Sequence, residues 1–176
     1  PYLLQALARG LLRLHDALAR GTDFYRSSQP SSIHPTARVH PSAVVADLDV
    51  VVGPHVVVGP QVTLDGPVRL DAGAEVMAGV TLGSAGFQTV EVDGVPIEMV
   101  HAGGVHVGER AVVFANAVVA RGLFRQDTVV GPDALIGNGA FVSHNTVIGA
   151  AATVGHGAVV NGNVRVGARA WIGPGA

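Results

Sequence analysis

The 176-residue chain has no cysteine, and all 11 of its basic residues are arginine, so it has no lysine either. Without cysteine there are no thiol nucleophiles, disulfides or cysteine metal sites, and the redox compartment stays undetermined. Without lysine there is no Schiff-base or Walker-type chemistry. Charged residues make up only 14% of the chain and the net charge is −2, which offers nucleic acid no electrostatic footprint. No run of 18 apolar residues occurs, so no transmembrane segment is expected. Arg9, Arg13, Asp16 and Arg20 interrupt any signal-peptide core, which makes a cytoplasmic location the expectation.

Hydrophobic residues reach 48% and glycines number 24, while aromatics are only 5%. That is neither a disordered nor a coiled-coil composition. Abundant valine and small residues point instead to an all-β fold with tight turns. The chain begins with Pro and ends at "WIGPGA" inside a repeat, so a fragment of a longer protein is expected.

Leu4, Leu7, Leu11, Leu14 and Leu18 step by three and four, which predicts an amphipathic helix over 1–20. Pro1 suits its first turn and Gly21 its C-terminal cap. The stripe is expected to pack on the rest of the chain or on a partner chain. Residues 21–32 read as a linker, giving an N-terminal helix and linker at 1–32 and a main domain at 33–176.

The main domain is a hexapeptide repeat. Val130, Ile136, Val142, Ile148, Val154, Val160, Val166 and Ile172 fall six apart, and a small or β-branched residue follows each at the fourth position. The same register runs from Val52 to Leu82 and from Val107 to Val119, and Ile33, Val39 and Val45 precede a one-residue slip. This period predicts a parallel β-helix in which each six residues supply a short strand and a corner. Residues 18 apart then stack at about the 4.8 Å strand spacing. Such hexapeptide proteins are left-handed prisms and usually trimers.

Two stretches break the period. Residues 83–106 do not fit, and within them "QTVEVDGVPIEM" reads as a β-hairpin about Asp93–Gly94. "ARGLFRQD", 120–127, leaves Val119 and Val130 one residue short of two repeats. Excursions from a regular scaffold are where function tends to lie.

His144 occupies a corner, with Gly162 one coil later beneath it. An imidazole there can take a proton from an attacking amine or hydroxyl, and the Gly162 amide can stabilise an oxyanion. A solvated corner histidine is the plain alternative. His34 and His40 look structural, and His55 and His156 are single corner residues. His101, His106 and His144 could instead form a zinc triad, although no metal is expected. Asp47, Asp49, Asp65 and Asp71 read as solvated, with calcium a remote option.

"SHNTVIG", preceded by the hairpin after "GSAGF" and by "ARGLFRQDTVVG", resembles the UDP-(3-O-acyl)glucosamine N-acyltransferases of lipid A synthesis. "PYL" and "IHPTARVHPSAVV" resemble that family's domain junction and first coil. The resemblance implies a homotrimer with sites between subunits and no tightly bound cofactor. It implies an acyl-carrier-protein or CoA thioester as donor and a nucleotide-linked amino sugar as acceptor. It makes His144 the general base and Gly162 the oxyanion amide, with Gly86 and Phe87 bordering the substrate groove; Asn145 and His156 are further substrate-binding candidates. The family has an Asp where this chain has Gly137, so the group that orients His144 is left open. Two other readings stay open: an acetyl-CoA-dependent nucleotide-sugar N-acetyltransferase, and a non-catalytic β-helix scaffold.

Overall fold

The computed structural model describes residues 6, 7, 9–11, 13, 14, 29–92 and 94–176. Residues 29–92 and 94–176 form a left-handed parallel β-helix of about seven turns; the period predicts the parallel coils, and likeness to other hexapeptide proteins their left hand. Three parallel sheets make its walls. The first has seven strands, from Ser32–Ile33 to Arg165–Val166. The second also has seven, from Arg38–Val39 to Trp171–Ile172, and the third has six, from Val44–Val45 to Val159–Val160.

The repeat dictates the core. The aliphatic of each hexapeptide and the small residue four later both face inward: Val52 with Val56, Val58 with Val62, Ile136 with Ala140, Ile148 with Ala152, all buried. Pairing large with small lets three walls close on one narrow interior. Three residues after most of the aliphatics from Val52 onward the backbone turns through positive φ, at His55, Asn116, Asp133, Asn145 and Asn163 among others. Asn and Asp tolerate that left-handed region best among residues with a side chain. His34 and His40 serve the first corners, as expected of structural residues: each Nδ1 meets the hydroxyl two residues on, Thr36 Oγ1 at 2.9 Å and Ser42 Oγ at 2.8 Å.

The regular coil is 18 residues, since Val50 pairs with Val68 and Val129 with Val147. Leu70 pairs with Val107, a separation of 37, so the first excursion adds 19 residues to one coil. It carries the antiparallel hairpin of Thr89–Val92 with Val95–Glu98. Val119 pairs with Val142, a separation of 23. The step from Val119 to Val130 is therefore one repeat carrying five extra residues, and not two repeats short by one.

At the N-terminus the described residues of 6–14 are helical. Leu7, Leu11 and Leu14 are exposed and do not pack on the β-helix; Leu4, Leu18 and the cap at Gly21 lie outside the described residues. Gln29 and Ser31 already pair with Asp49 and Asp47.

Candidate functional site

The two interruptions of the repeat are one structure. Ala102 and Gly103, on the return from the hairpin, donate from their amides to the carbonyls of Leu123 and Gly122 at 3.2 and 2.8 Å. Gly122 and Thr128 donate back to the carbonyl of Gly104, and the Gly104 amide meets Asp127 Oδ1 at 3.1 Å. This packing sets His101, at the end of the first excursion, beside the corner that holds His144.

Asn145 ties the second excursion to that corner. Its Oδ1 accepts from the Leu123 amide at 2.6 Å and its Nδ2 donates to Gln126 Oε1 at 2.9 Å. Its amide donates to Thr128 Oγ1 at 3.0 Å, and its φ is 57°. The side chain that the resemblance assigns to substrate is thus engaged in holding residues 123–128 in place.

His144 is 5% exposed and sits between two glycines. A methyl group built on Gly162 would lie 2.5 Å from its Nε2, and one built on Gly86 would lie 3.3 Å from its Nδ1. The His101 ring meets it edge-on, with centroids 5.1 Å apart and planes at 67°. Ser143 Oγ, 3.2 Å from His144 Nδ1, is the polar side chain in reach of that nitrogen. Gly137 belongs to another corner, against the backbone of Gly155 and His156; it is a hydroxyl, that of Ser143, and not a carboxylate that meets His144 Nδ1.

Burial pushes His144 below the usual histidine range. Burial also lowers His101, and so do the neighbouring His144 and Arg121, against an opposing hydrogen bond to Met99. Both rings are neutral at pH 7 and therefore able to accept a proton. Arg121, 6% exposed, lies close enough to His101 for its charge to be felt there. Its Nη2 meets Asp65 Oδ2 at 2.6 Å and its Nε donates to the Gly83 carbonyl, which fixes the start of the first excursion. Periodicity carried no signal for Arg121 or for the role of His101; both lie where the repeat is broken.

The other predicted residues fall elsewhere. Gly86 is buried against both rings, whereas Phe87 beside it is 86% exposed. His156 is exposed at the corner between the second and third walls, where its Nδ1 accepts from the Asn138 amide at 3.0 Å; it is not part of the His101–His144 cluster. His106 points outward from the first wall and binds Asp71 at 2.7 Å, so the three histidines do not converge. Among the described residues no group of three or more His, Asp or Glu is placed to hold a metal ion. Asp71, 20% exposed, is held by Arg69 and His106, so its reading as solvated is corrected; Asp65 pairs with Arg121 but stays 55% exposed.

Two grooves of about 380 and 410 Å³ run along the first wall and share Asp71 and Glu109. Their charges are satisfied among themselves, Arg110 with Asp133 and Glu109, Arg69 and His106 with Asp71. Neither groove includes the histidine pair, and the enclosed pair is the better candidate for chemistry.

The family model for the bacterial transferase hexapeptide (six repeats) matches residues 127–162, a span that holds both His144 and Gly162. Solved structures with a similar fold include a His-to-Ala variant of GDP-perosamine N-acetyltransferase from Caulobacter crescentus, in complex with CoA and GDP-perosamine. It is 23% identical over 89% of this chain and 61% of that chain, with a TM-score of 0.59. LpxA from Acinetobacter baumannii is 23% identical over 81% of this chain and 57% of that one, with a TM-score of 0.43. The acetyltransferase domain of PglB from Neisseria gonorrhoeae is 22% identical over 91% and 60%, with a TM-score of 0.46. The chain therefore spans about three-fifths of each of these proteins, and the likeness is one of fold. No curated protein matches the chain. No described helix is long and apolar enough to cross a membrane.

Proposed function

We propose that this chain carries the active site of an acyltransferase that moves an acyl group from a carrier thioester to the amino group of a nucleotide-linked amino sugar, with His144 as general base. The observation that carries the reading is the setting of His144: a neutral imidazole, buried at a coil corner and bounded by two glycines. A neutral ring can take the proton that an amine loses on attacking a thioester carbonyl. The same ring, once protonated, can return that proton to the departing thiolate. The oxyanion formed between those steps falls to the Gly162 amide, one coil along the same corner.

The donor is either acyl carrier protein or CoA. The Caulobacter neighbour, bound to CoA and GDP-perosamine, supports the CoA form; the "RGLF", "QDTVVG" and "SHN" order supports the carrier-protein form. The outward residues of the third wall, Val44, Thr63, Thr81, Val118, Phe141 and Val159, carry no charge. This is a wall suited to contact with further copies, in keeping with a homotrimer, and sedimentation of the purified protein tests the assembly.

The test of function is acyl transfer from acyl-carrier-protein and CoA thioesters to amino-sugar nucleotides, wild type against His144→Ala. A fall in kcat of about a hundredfold or more, with folding intact, is the expected result. Equal rates would remove His144 from the mechanism. Absence of transfer with every thioester would favour the scaffold reading.

A further inference from the structure

His101 holds an unsatisfied group at the centre of the site. The residue is 4% exposed, and its enclosed Nε2 has no hydrogen-bond partner. The other ring nitrogen fixes the chemistry of that atom. Nδ1 lies 3.0 Å from the Met99 carbonyl oxygen, which can only accept, so Nδ1 carries the proton. Nε2 of the neutral ring is then a bare lone pair. A buried acceptor without a donor is costly to a folded protein and calls for an explanation.

The lone pair faces Gly86, where an added methyl group would lie 2.6 Å from His101 Nε2 and 3.3 Å from His144 Nδ1. Two imidazoles therefore converge on one small volume. Residues 85–88, which are neither strand nor helix, run over it.

We infer that His101 is a second proton acceptor of this site, holding one N–H of the acceptor amine through Nε2 while His144 removes the other. The inference rests on the acyl-transfer reading above. The amine nitrogen attacks the thioester carbonyl carbon, a C–N bond forms, and one nitrogen proton passes to His144. Collapse of the tetrahedral intermediate breaks the C–S bond, and that proton goes on to the thiolate. His101 keeps its own proton on Met99 and accepts a hydrogen bond from the N–H that survives in the amide. A hydroxyl acceptor has only one proton; when it passes to His144, the lone pair of His101 is left bare. A site built this way disfavours hydroxyl acceptors through its own unpaired group. Entry of the amine requires residues 85–88 to move outward.

The test uses the full chain, acyl-CoA and acyl-carrier-protein donors, and nucleotide sugars that differ only in carrying an amine or a hydroxyl at one carbon. His101→Phe keeps a planar ring without the acceptor, and His101→Gln restores an acceptor. The expected result is a fall in kcat for the amine of about tenfold or more in H101F, a smaller preference for amine over hydroxyl, and recovery of both in H101Q. An unchanged kcat and preference in H101F overturns the inference. Should H101F fail to fold, ¹⁵N NMR of the wild-type histidines decides. The His101 Nε2 resonance is expected to shift when an amine acceptor that the protein acylates is added, and to stay with its hydroxyl counterpart; a resonance unmoved by that amine overturns the inference. Absence of transfer by the wild type with every donor removes the acyl-transfer reading and this inference together. Transfer by H101F at the wild-type rate and with the wild-type preference removes the inference alone.

Discussion

The imidazole of His144 occupies the space in which a side chain at Gly162 would begin, one coil further along the same corner. The glycine is needed there because the ring is there. A methyl group 2.5 Å from Nε2 cannot coexist with the ring in its present position. Gly162→Ala is therefore expected to push His144 out of place and to lower kcat about a hundredfold, since displacements near 1 Å can cost that much. The β-sheet circular dichroism should stay that of the wild type. Wild-type turnover in G162A would show that the position of the ring does not matter to the reaction.

The pH dependence follows from burial. A base works in its neutral form, and His144 is held below the usual histidine pKa. Activity is expected to persist as pH falls through 6.5, the unperturbed value, and to fail only at lower pH. An acid limb in kcat/KM at or above that value would contradict the burial described here.

The same shift bears on stability, with its own sign. His101 and His144 both have folded pKa values below their unfolded ones, so the unfolded chain binds more protons in the window between the two. Their contribution is complete above the unfolded value and is lost as pH falls toward the folded values. Thermal unfolding followed from pH 7.5 to 5 should show Tm falling toward acid, and less steeply in a His101→Phe, His144→Phe double variant. Equal slopes in the two proteins would exclude the pair as the cause.

Asn145 makes two separable contributions, one through its backbone and one through its side chain. Asn145→Gly keeps the positive φ of 57° but loses the bonds to Leu123 and Gln126. Asn145→Ala loses those bonds and also strains the backbone, a further cost of about 1–2 kcal/mol. Hydrogen exchange of the 121–128 amides should quicken in both variants and more in Ala than in Gly. Wild-type protection in the glycine variant would mean that the loop stands without its anchor.

The regular coils were legible in the sequence because the inward pattern repeats with a fixed period and each corner restates it. Val130 through Ile172 define three walls by arithmetic alone. His144 could be picked out because it departs from that rule at a known place. The neighbours that make a site of it could not. His101 and His144 are 43 positions apart, and what joins them is the hydrogen bonding of residues 102–104 to 122–128, two aperiodic stretches whose mutual packing no repeat encodes. For the same cause the span from Val119 to Val130 reads as two repeats short by one: a length alone does not say which wall the chain rejoins. Asn145 reads as a substrate ligand when "SHN" is taken as a unit, and only the bonds to Leu123 and Gln126 reveal its engagement with the loop.

The stacking of coils also gives the site a ruler. Each 18-residue coil lies over the last at strand spacing, with Val50 on Val68 and Val129 on Val147. Adding or deleting one whole coil before Val68 would carry the histidine pair about 4.8 Å along the axis while leaving the wall it faces unchanged. The distance from this site to anything joined at the N-terminal side is thus adjustable in equal steps.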